Sequence, residues 1–322
     1  MANVLATPRA WKKKSIFMKV ETTYNVDAVP TAVDWMEARD MTVTEFEASV
    51  VQRNIVMENK GRMGGLIGAI QVKVDFSVAL APSGIAGVKP KWDAMMQAAA
   101  FAVTSVAPVV GPPDVAGSVT YNLVSTGEKS ATIYYFADGD KHVVTGVRGS
   151  WSAALDAAGL PLMKFSGQGV YTRPVSATAL TPDKAGWNVE ELVGPKYTTG
   201  SVNGVAVAFS KYSVDVAQQI KYISYPGPQE EIVIEDRQPT AGITMLAPSL
   251  ASFNPYQLAE DATLVPVMLD HGSTVGKKAR INLQSRITGV QKVDVDGYMG
   301  YELKFEPEAT SAGNDEIVLT LL

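Results

Sequence analysis

The clearest pattern in the chain lies in residues 70–80, where apolar and polar side chains alternate one by one. The apolar positions are Ile70, Val72, Val74, Phe76, Val78 and Leu80. The polar positions between them are Gln71, Lys73, Asp75 and Ser77. Because successive side chains of a β-strand point to opposite faces, the pattern predicts a strand with one buried and one polar face.

A second alternating segment, residues 145–155, is followed after Pro161 by a third, residues 163–171. The polar positions of the two segments are Arg148, Ser150, Ser152, Lys164, Ser166 and Gln168. Their order and spacing predict a long β-hairpin. Asp138 and Gly139 have the turn chemistry expected just before its first strand.

One helix is predicted between the first strand and this hairpin. Pro90 suits a first-turn position, and Trp92, Met95, Met96 and Ala99 follow at spacings of three and four. We expect the helix to pack across the apolar side of the sheet. Residues 102–130 are rich in Pro, Gly, Ser and Val, which predicts a long surface connection with short strand pieces.

The second half of the chain repeats this plan weakly. Residues 214–223 and 232–246 are strand candidates, Asn254 caps a predicted helix over residues 255–262, and a hairpin introduced by His271 and Gly272 follows. We therefore expect two tandem domains, residues 1–185 with an N-terminal arm (1–18) and residues 205–322. The Pro- and Gly-rich residues 186–204 are the predicted linker.

Composition narrows the possible functions. The 322 residues include 46% hydrophobic and 19% charged positions, the balance of a folded globular protein, and no stretch is long and apolar enough for a membrane helix. The basic residues near the amino terminus lack the apolar run of a secretory signal. The net charge of −5 disfavours tight nucleic-acid binding, and the absence of cysteine excludes disulfides and thiolate chemistry.

Catalytic, cofactor and metal motifs are not predicted. The glycines near residues 61–68 lack the Lys-Ser/Thr of a phosphate loop, and Asp294, Asp296 and Gly297 fit a turn better than a calcium loop. His142 and His271 fall at equivalent hairpin starts without metal-spaced partners, and turn polarity explains both. We predict no enzyme activity, no cofactor and no metal.

Several motifs occur in an order that resembles the tail tube proteins of siphophages. They are residues 21–24 (ETTY) with Asp27 and Pro30, the alternating strand 71–80, the helix with Trp92, residues 131–136 (ATIYYF), Asp138, Gly139, His142, Thr145, Gly146, Arg148, Gly149, Phe165, Gly167, Tyr171 and residues 311–316 (SAGNDE). The ordered set covers nearly the whole chain.

The resemblance implies a mainly β fold of tail-tube β-sandwich or barrel domains, each with one short helix on its sheet. In this family the inner sheets join around a ring into one β-barrel, and the rings stack into the tube through which genome DNA leaves. Relatives with one domain form hexameric rings, so two tandem domains favour three chains per ring, with six as the alternative. The implied partners are further copies of the chain and the tape measure, tail terminator and distal tail proteins, in a virion tail assembled in the host cytoplasm.

Two sets of residues are candidates for roles in such a tube. If the apolar faces point outward, the channel is lined by Gln71, Lys73, Asp75, Ser77, Arg148, Ser150, Ser152, Lys164, Ser166 and Gln168. Contacts between rings are expected from Glu58, Lys60 and Arg62 in a long loop and from Arg9, Lys12, Lys13 and Lys14 in the N-terminal arm. An ordinary solvated sheet face predicts the same alternation.

Two other classes of protein remain open at this point. Tandem β domains also occur in carbohydrate-binding or adhesive modules, which stay monomeric and display exposed aromatic clusters. Another virion component, from the baseplate or the capsid, shares the sandwich architecture. Assembly behaviour separates these alternatives from a tube protein.

Overall fold

The computed structural model describes residues 9–58, 61, 64–111, 114–227 and 229–322, and its fold is mainly β with two short α-helices. The first half contains β1 (Lys14–Val20), a 3₁₀ turn (Ala32–Asp34), β2 (Trp35–Met36), β3 (Arg39–Val51), β4 (Leu66–Ala79), α1 (Asp93–Ala98), β5 (Phe101–Val106), β6 (Ser118–Leu123), β7 (Ala131–Ala137), β8 (Asp140–Asp156), β9 (Leu162–Tyr171) and β10 (Val175–Ser176). The second half contains β11 (Thr198–Val202), β12 (Val205–Val207), β13 (Phe209–Asp215), β14 (Gln218–Tyr225), β15 (Gln229–Arg237), β16 (Thr240–Leu246), α2 (Pro255–Glu260), β17 (Leu264–His271), β18 (Ala279–Val295), β19 (Tyr298–Pro307) and β20 (Ile317–Leu321).

The two halves place their strands in the same antiparallel order. The first half reads β1-β7-β8-β9-β4-β3, and the second reads β11-β17-β18-β19-β16-β13. Each half has one 17-residue strand, β8 or β18, with a register shift near its middle. Thr198–Val202, which the sequence placed in the linker, pairs with β17.

The alternating segments form strands as predicted. In β4, Val72, Val74, Phe76 and Val78 are buried, and Trp151, Met163 and Phe165 of the β8–β9 hairpin are buried on the same side. A Cβ at Gly149 or Gly167 would lie 2.4 Å from a carbon of the Phe165 ring, so these two strand positions need glycine.

The predicted helix covers this apolar side. It begins at Asp93, three residues later than Pro90 suggested, and Trp92, Met95, Met96 and Ala99 are completely buried. The Trp92 indole N–H donates to the carbonyl of Ala81 at 2.9 Å, which satisfies the polar atom of this buried ring. In the second half, Asn254 caps α2 by accepting from the N–H of Gln257, as its position predicted.

The halves are joined by two strand contacts. Residues 152–156 of β8 pair with residues 211–215 of β13, so one sheet runs across the junction. The β5–β6 hairpin pairs through β6 with β20 at the end of the chain. The expectation that residues 102–130 lie at the surface was wrong for Val119, Tyr121 and Leu123, which are buried in the core, where the Tyr121 ring packs on Trp92.

The junction produces a continuous sheet of eight strands, ordered β3-β4-β9-β8-β13-β16-β19-β18. We call it the inner sheet. Within the described residues it does not close on itself, because β3 and the C-terminal part of β18 stand at its two edges.

Candidate functional site

The polar side chains of the first half lie in rows across one face of the inner sheet. Strand register aligns Lys73 with Gln168 and Arg148, Asp75 with Ser166 and Ser150, and Ser77 with Lys164 and Ser152. Gln71 lies at the next position of this face along β4. The structure therefore brings together all ten residues that the sequence assigned to a channel wall.

The same face continues into the second half through the pairing of β8 with β13, which the alternation of residues 145–155 did not predict. Ser152 lies opposite Asp215, and Asp156 lies opposite Lys211. Beyond them the face includes Ser213, Thr240, Thr244, Glu302, Lys304 and Glu306. A concave groove runs over this surface and is lined by Lys164, Lys211, Asp215 and Lys304 among others.

Charges on this face nearly cancel. Its lysines are Lys73, Lys164, Lys211 and Lys304, and its carboxylates are Asp75, Asp156, Asp215, Glu302 and Glu306. With Arg148, which lies in the same rows, five cations stand against these five anions, and such a surface neither holds nor strongly repels a polyanion.

Four of the ten assigned residues have partners, among them Ser150, whose hydroxyl accepts the backbone N–H of Gln218 in β14 at 3.1 Å. Lys73 pairs with Glu47 at 2.7 Å, and the Gln71 amide donates to the same carboxylate. The side chain of Arg148 is only 11% exposed, because the β14–β15 hairpin covers it. The side chains of the remaining six are exposed or half-buried on this face of the sheet.

The β14–β15 hairpin, which we call the second arm, is fixed to the first half by Arg148. The guanidinium lies 3.0 Å from a carboxylate oxygen of Glu231, donates to the carbonyl of Ile232 at 2.6 Å, and sits over the Tyr24 ring at 4.8 Å. These contacts surround the planar cation with an anion, a carbonyl and an aromatic face, while its Nε is buried without a hydrogen-bond partner among the described residues. The arm is thus part of the packed chain.

Tyr24 completes this contact. Its hydroxyl accepts the backbone N–H of Ile232 at 2.6 Å, and burial raises the pKa of the phenol to about 12. The loop that carries Tyr24 is organised by the buried carboxylate of Glu21, which accepts from the Ser130 and Thr132 hydroxyls and the Gly146 N–H. Glu21 and Tyr24 belong to the ETTY motif, so that motif positions the landing site of the second arm.

The corresponding hairpin of the first half carries exposed apolar side chains. We call residues 48–58 and 64–70, the distal part of the β3–β4 hairpin, the first arm. Its exposed apolar side chains are Val50, Val51, Ile55, Val56, Met57, Leu66 and Ile67. Glu58 in the predicted contact loop is also exposed, whereas Lys60 and Arg62 lie outside the described residues.

The basic residues of the N-terminal arm contact their own chain. Arg9 pairs with Asp140, Lys13 lies 3.3 Å from Asp138, and the Lys14 ammonium lies 3.3 Å from the Trp11 ring centroid. The carboxylates belong to the β7–β8 turn. Lys12 is exposed.

Two strand edges of the inner sheet are open. Among the described residues, β3 pairs only with β4, and residues 288–295 of β18 pair only with β19. In the repeat, β13 corresponds to β3, and residues 152–156 of β8 correspond to the C-terminal part of β18. These two counterparts pair with each other inside the chain. Open edges of this length are templates for pairing with another chain.

The two histidines are structural. Both are buried, not exposed in turns as turn polarity suggested: His142 lies 3.7 Å from Glu45, and His271 Nδ1 lies 2.9 Å from the Thr198 hydroxyl. Burial lowers the pKa of His271, opposed by nearby Glu191. No group of three or more His, Cys, Asp or Glu side chains within the described ranges is placed to hold a metal ion. Asp294 accepts from the Gly297 N–H at 2.7 Å, in the tight turn that the sequence predicted.

Comparison with known proteins identifies the family. A family model described as phage tail tube protein matches residues 11–321. No curated protein matches the chain. In the part of the chain that the structure describes, no helix is long and apolar enough to cross a membrane.

Proposed function

The chain belongs to the phage tail tube protein family, and on that premise we propose that its copies close into rings that stack into the tube for genome ejection. The protein is structural, and its place is the virion tail. The observation that carries the proposal is the β8–β13 seam, an internal pairing between the same two kinds of edge that the chain leaves open at β3 and β18.

The internal seam gives the geometry of the proposed contact between chains. The β8–β9 hairpin can be aligned with the β18–β19 hairpin by matching their register shifts and the starts of their second strands. In this alignment residues 152–156 correspond to residues 293–297. In the same repeat, β13 pairs with β16 as β3 pairs with β4. Residues 211–215 therefore correspond to residues 42–47. Residues 44–47 of one copy then pair with residues 293–295 of the next, which places Thr44 opposite Val295, while residues 296 and 297 form the β18–β19 turn.

Ring size follows from the two halves. Each chain contributes eight inner strands and two similar sectors, so three copies give six sectors and a 24-stranded barrel. Six copies per ring is the alternative. In the closed ring neither edge of the inner sheet stays open.

The channel wall in this proposal is the polar face of the inner sheet. Asp75, Ser77, Ser150, Ser152, Lys164, Ser166 and Gln168 line it in the first half, with Lys73 and Gln71 beside Glu47 and Arg148 beneath the second arm. The near cancellation of charge supports this role, because a strongly cationic wall would retain the DNA backbone. DNA passes without specific binding.

The remaining partners follow from family resemblance. They are the tape measure, tail terminator and distal tail proteins of a siphovirus with a sheathless flexible tail, assembled in the host cytoplasm. Glu58, Lys60, Arg62 and the basic residues Arg9, Lys12, Lys13 and Lys14 stay proposed contributors to contacts between rings.

Disulfide cross-linking tests ring closure, because the natural chain has no cysteine. The Thr44→Cys/Val295→Cys double variant is assembled, checked for tubes by negative-stain electron microscopy, oxidised and run on a non-reducing denaturing gel. Directly opposed strand residues are close enough for a disulfide. We expect a ladder that ends at covalent trimers.

Each single-cysteine variant serves as a control and gives no ladder beyond dimers. A ladder that ends at hexamers would replace three chains per ring by six. Tubes without any ladder would contradict the proposed seam, and chains that stay monomeric with tail-initiation partners would contradict the tube function itself.

A further inference from the structure

The SAGNDE motif, residues 311–316, brings a carboxylate into the junction between the two halves. Asp315 accepts from the backbone N–H and the hydroxyl of Thr310, which closes the loop before β20. The side chain of Glu316 is buried, and its Oε1 accepts from the Nε–H of Arg237 at the base of the second arm. Its Oε2 is also buried but has no hydrogen-bond partner among the residues that the structure describes.

Gln218, the first residue of the second arm, presents a second acceptor of this kind. Its amide nitrogen donates to the carbonyl of Ala99 at 2.8 Å, and this bond fixes the orientation of the carboxamide. The amide oxygen is buried without a hydrogen-bond partner in the described part of the chain, and the whole residue is only 8% exposed. Because an unpaired buried acceptor is costly, both oxygens favour an occupant that donates hydrogen bonds.

Glu316 and Gln218 line the same cavity, which has a volume of about 390 Å³. The cavity lies where the start of β5, the base of the second arm and the loop before β20 meet. Ala100, Ile234 and Pro307 line it on these three sides. Its volume falls within the range of sites that hold small organic molecules.

Carboxylates dominate the lining of this cavity. The side chain of Glu316 is buried, that of Glu128 is half-buried, and those of Glu235 and Asp236 are exposed. Glu235 lies 3.7 Å from Lys221, but both side chains are more than half exposed, so water screens this pair. Negative charge therefore runs from the interior of the cavity to its mouth.

Arg237 is the one basic residue among the described residues that line the cavity, and its donors are engaged. Besides Glu316, its guanidinium donates to the carbonyl of Val124 at 2.8 Å and to the amide oxygen of Asn314 at 2.6 Å. All three of its nitrogens thus have acceptors from the chain. The unpaired oxygens of Glu316 and Gln218 are left for a donor from outside the chain.

We propose that the cavity binds a small organic cation, an aliphatic diamine whose first ammonium group donates to Glu316 and Gln218. A primary ammonium has three N–H donors and a positive charge, which suit a carboxylate oxygen and an amide oxygen together. The second ammonium group lies at the mouth, near the exposed carboxylates of Glu235 and Asp236. This lining repels anions, and no three His, Cys, Asp or Glu side chains within the described ranges are placed to hold a metal ion.

The site does not depend on ring formation, so titration calorimetry of the unassembled chain tests it. The probe is 1,4-diaminobutane, for which we expect saturable binding at one site per chain. Butylamine has only one charge and should bind about fivefold more weakly, because the carboxylates at the mouth stay unpaired. The uncharged 1,4-butanediol should not bind.

Two substitutions locate the binding in this cavity. Gln218→Met removes the amide oxygen without changing the net charge, and Glu316→Gln removes the buried charge. Each should weaken binding of the diamine about tenfold. The matched control is Glu306→Gln, at an exposed carboxylate on the polar face of the inner sheet, and should leave binding unchanged.

Thermal denaturation gives a second readout. A diamine concentration of about one hundred times the Kd should raise the Tm of the wild-type chain by about 4 °C. The Tm of Gln218→Met should rise far less under the same conditions.

The outcomes separate this site from the tube function. Saturable binding of equal strength in wild type, Gln218→Met and Glu316→Gln would overturn the site, because the diamine would then bind elsewhere. Absence of saturable binding to the wild-type chain would also overturn it and leave the cavity to water. Neither result affects the tube function, which is judged by tube formation and the cross-linked ladder.

Discussion

The two arms of the chain arise at equivalent places in the two halves and end in opposite surroundings. The second arm lies on the first half, where Arg148 and Tyr24 hold it. The first arm projects with its apolar side chains uncovered. The second arm therefore has its interface within the chain, whereas the similar surface of the first arm is left open. This difference indicates that the open surface serves assembly with other copies.

Charged pairs at the bases of the two arms show the same contrast. Arg148 and Glu231 lie beneath the second arm, with the arginine side chain 11% exposed. Lys73 and Glu47 at the base of the first arm are 39% and 40% exposed. Removing one partner of a buried pair costs far more than removing one from a solvated pair.

The largest effect on stability is expected from Arg148→Met. The change leaves Glu231 and the carbonyl of Ile232 without their cation and should lower the free energy of unfolding by about 2–4 kcal/mol. Urea denaturation of the unassembled chain measures it. The matched control is Lys73→Met, for which the expected loss is below about 1 kcal/mol. Equal losses would mean that the second arm is not held by Arg148.

A smaller effect is expected from Tyr24→Phe. The backbone N–H of Ile232 loses its acceptor, which should cost about 1 kcal/mol at neutral pH. The wild-type chain has an additional dependence on pH. Because burial raises the folded-state pKa of Tyr24 from 10.0 to about 12, its contribution is complete below about pH 10 and is lost as the pH rises through 12.

Denaturation at several alkaline pH values checks this sign. Tyr24→Phe should lose stability less steeply than wild type between pH 10 and 12. Tyr225→Phe, at an exposed position near the tip of the second arm, should behave as wild type. Identical slopes for wild type and Tyr24→Phe would contradict the buried phenol.

The smallest effect on the folded chain is expected in the first arm. Val56→Ser should change the free energy of unfolding by less than about 0.5 kcal/mol, because the side chain is already exposed. Hydrogen exchange distinguishes the two arms. Amides of the first arm should exchange quickly in the free chain and slowly in tubes, whereas those of the second arm should be protected in both.

Much of the sheet could be predicted from the sequence because the two-residue period of β4, β8 and β9 is a local signal. The same period placed Arg148 on the polar face, and the register agrees. What covers that residue is decided by Glu231, 83 positions further along the chain, and no periodicity reports such a contact. His142 and His271 show the same limit, since their burial depends on strands distant in sequence.

The junction between the halves was also beyond local patterns. The pairing of β6 with β20 joins residues near 120 to the end of the chain, and the β8–β13 seam depends on two edges that meet only in the folded molecule. Strand edges pair through backbone N–H and C=O groups, and every residue type except proline carries both. Side-chain patterns therefore predict which strands form better than which edges meet.

In the proposed ring, the open edges of neighbouring copies repeat the internal seam. Cryo-electron microscopy of assembled tubes, averaged down the axis, tests it most directly. We expect threefold rings with six similar sectors and one continuous barrel of 24 strands, eight from each of three chains. Rings in which β3 and the C-terminal part of β18 stay unpaired, with contacts between chains made elsewhere, would contradict it.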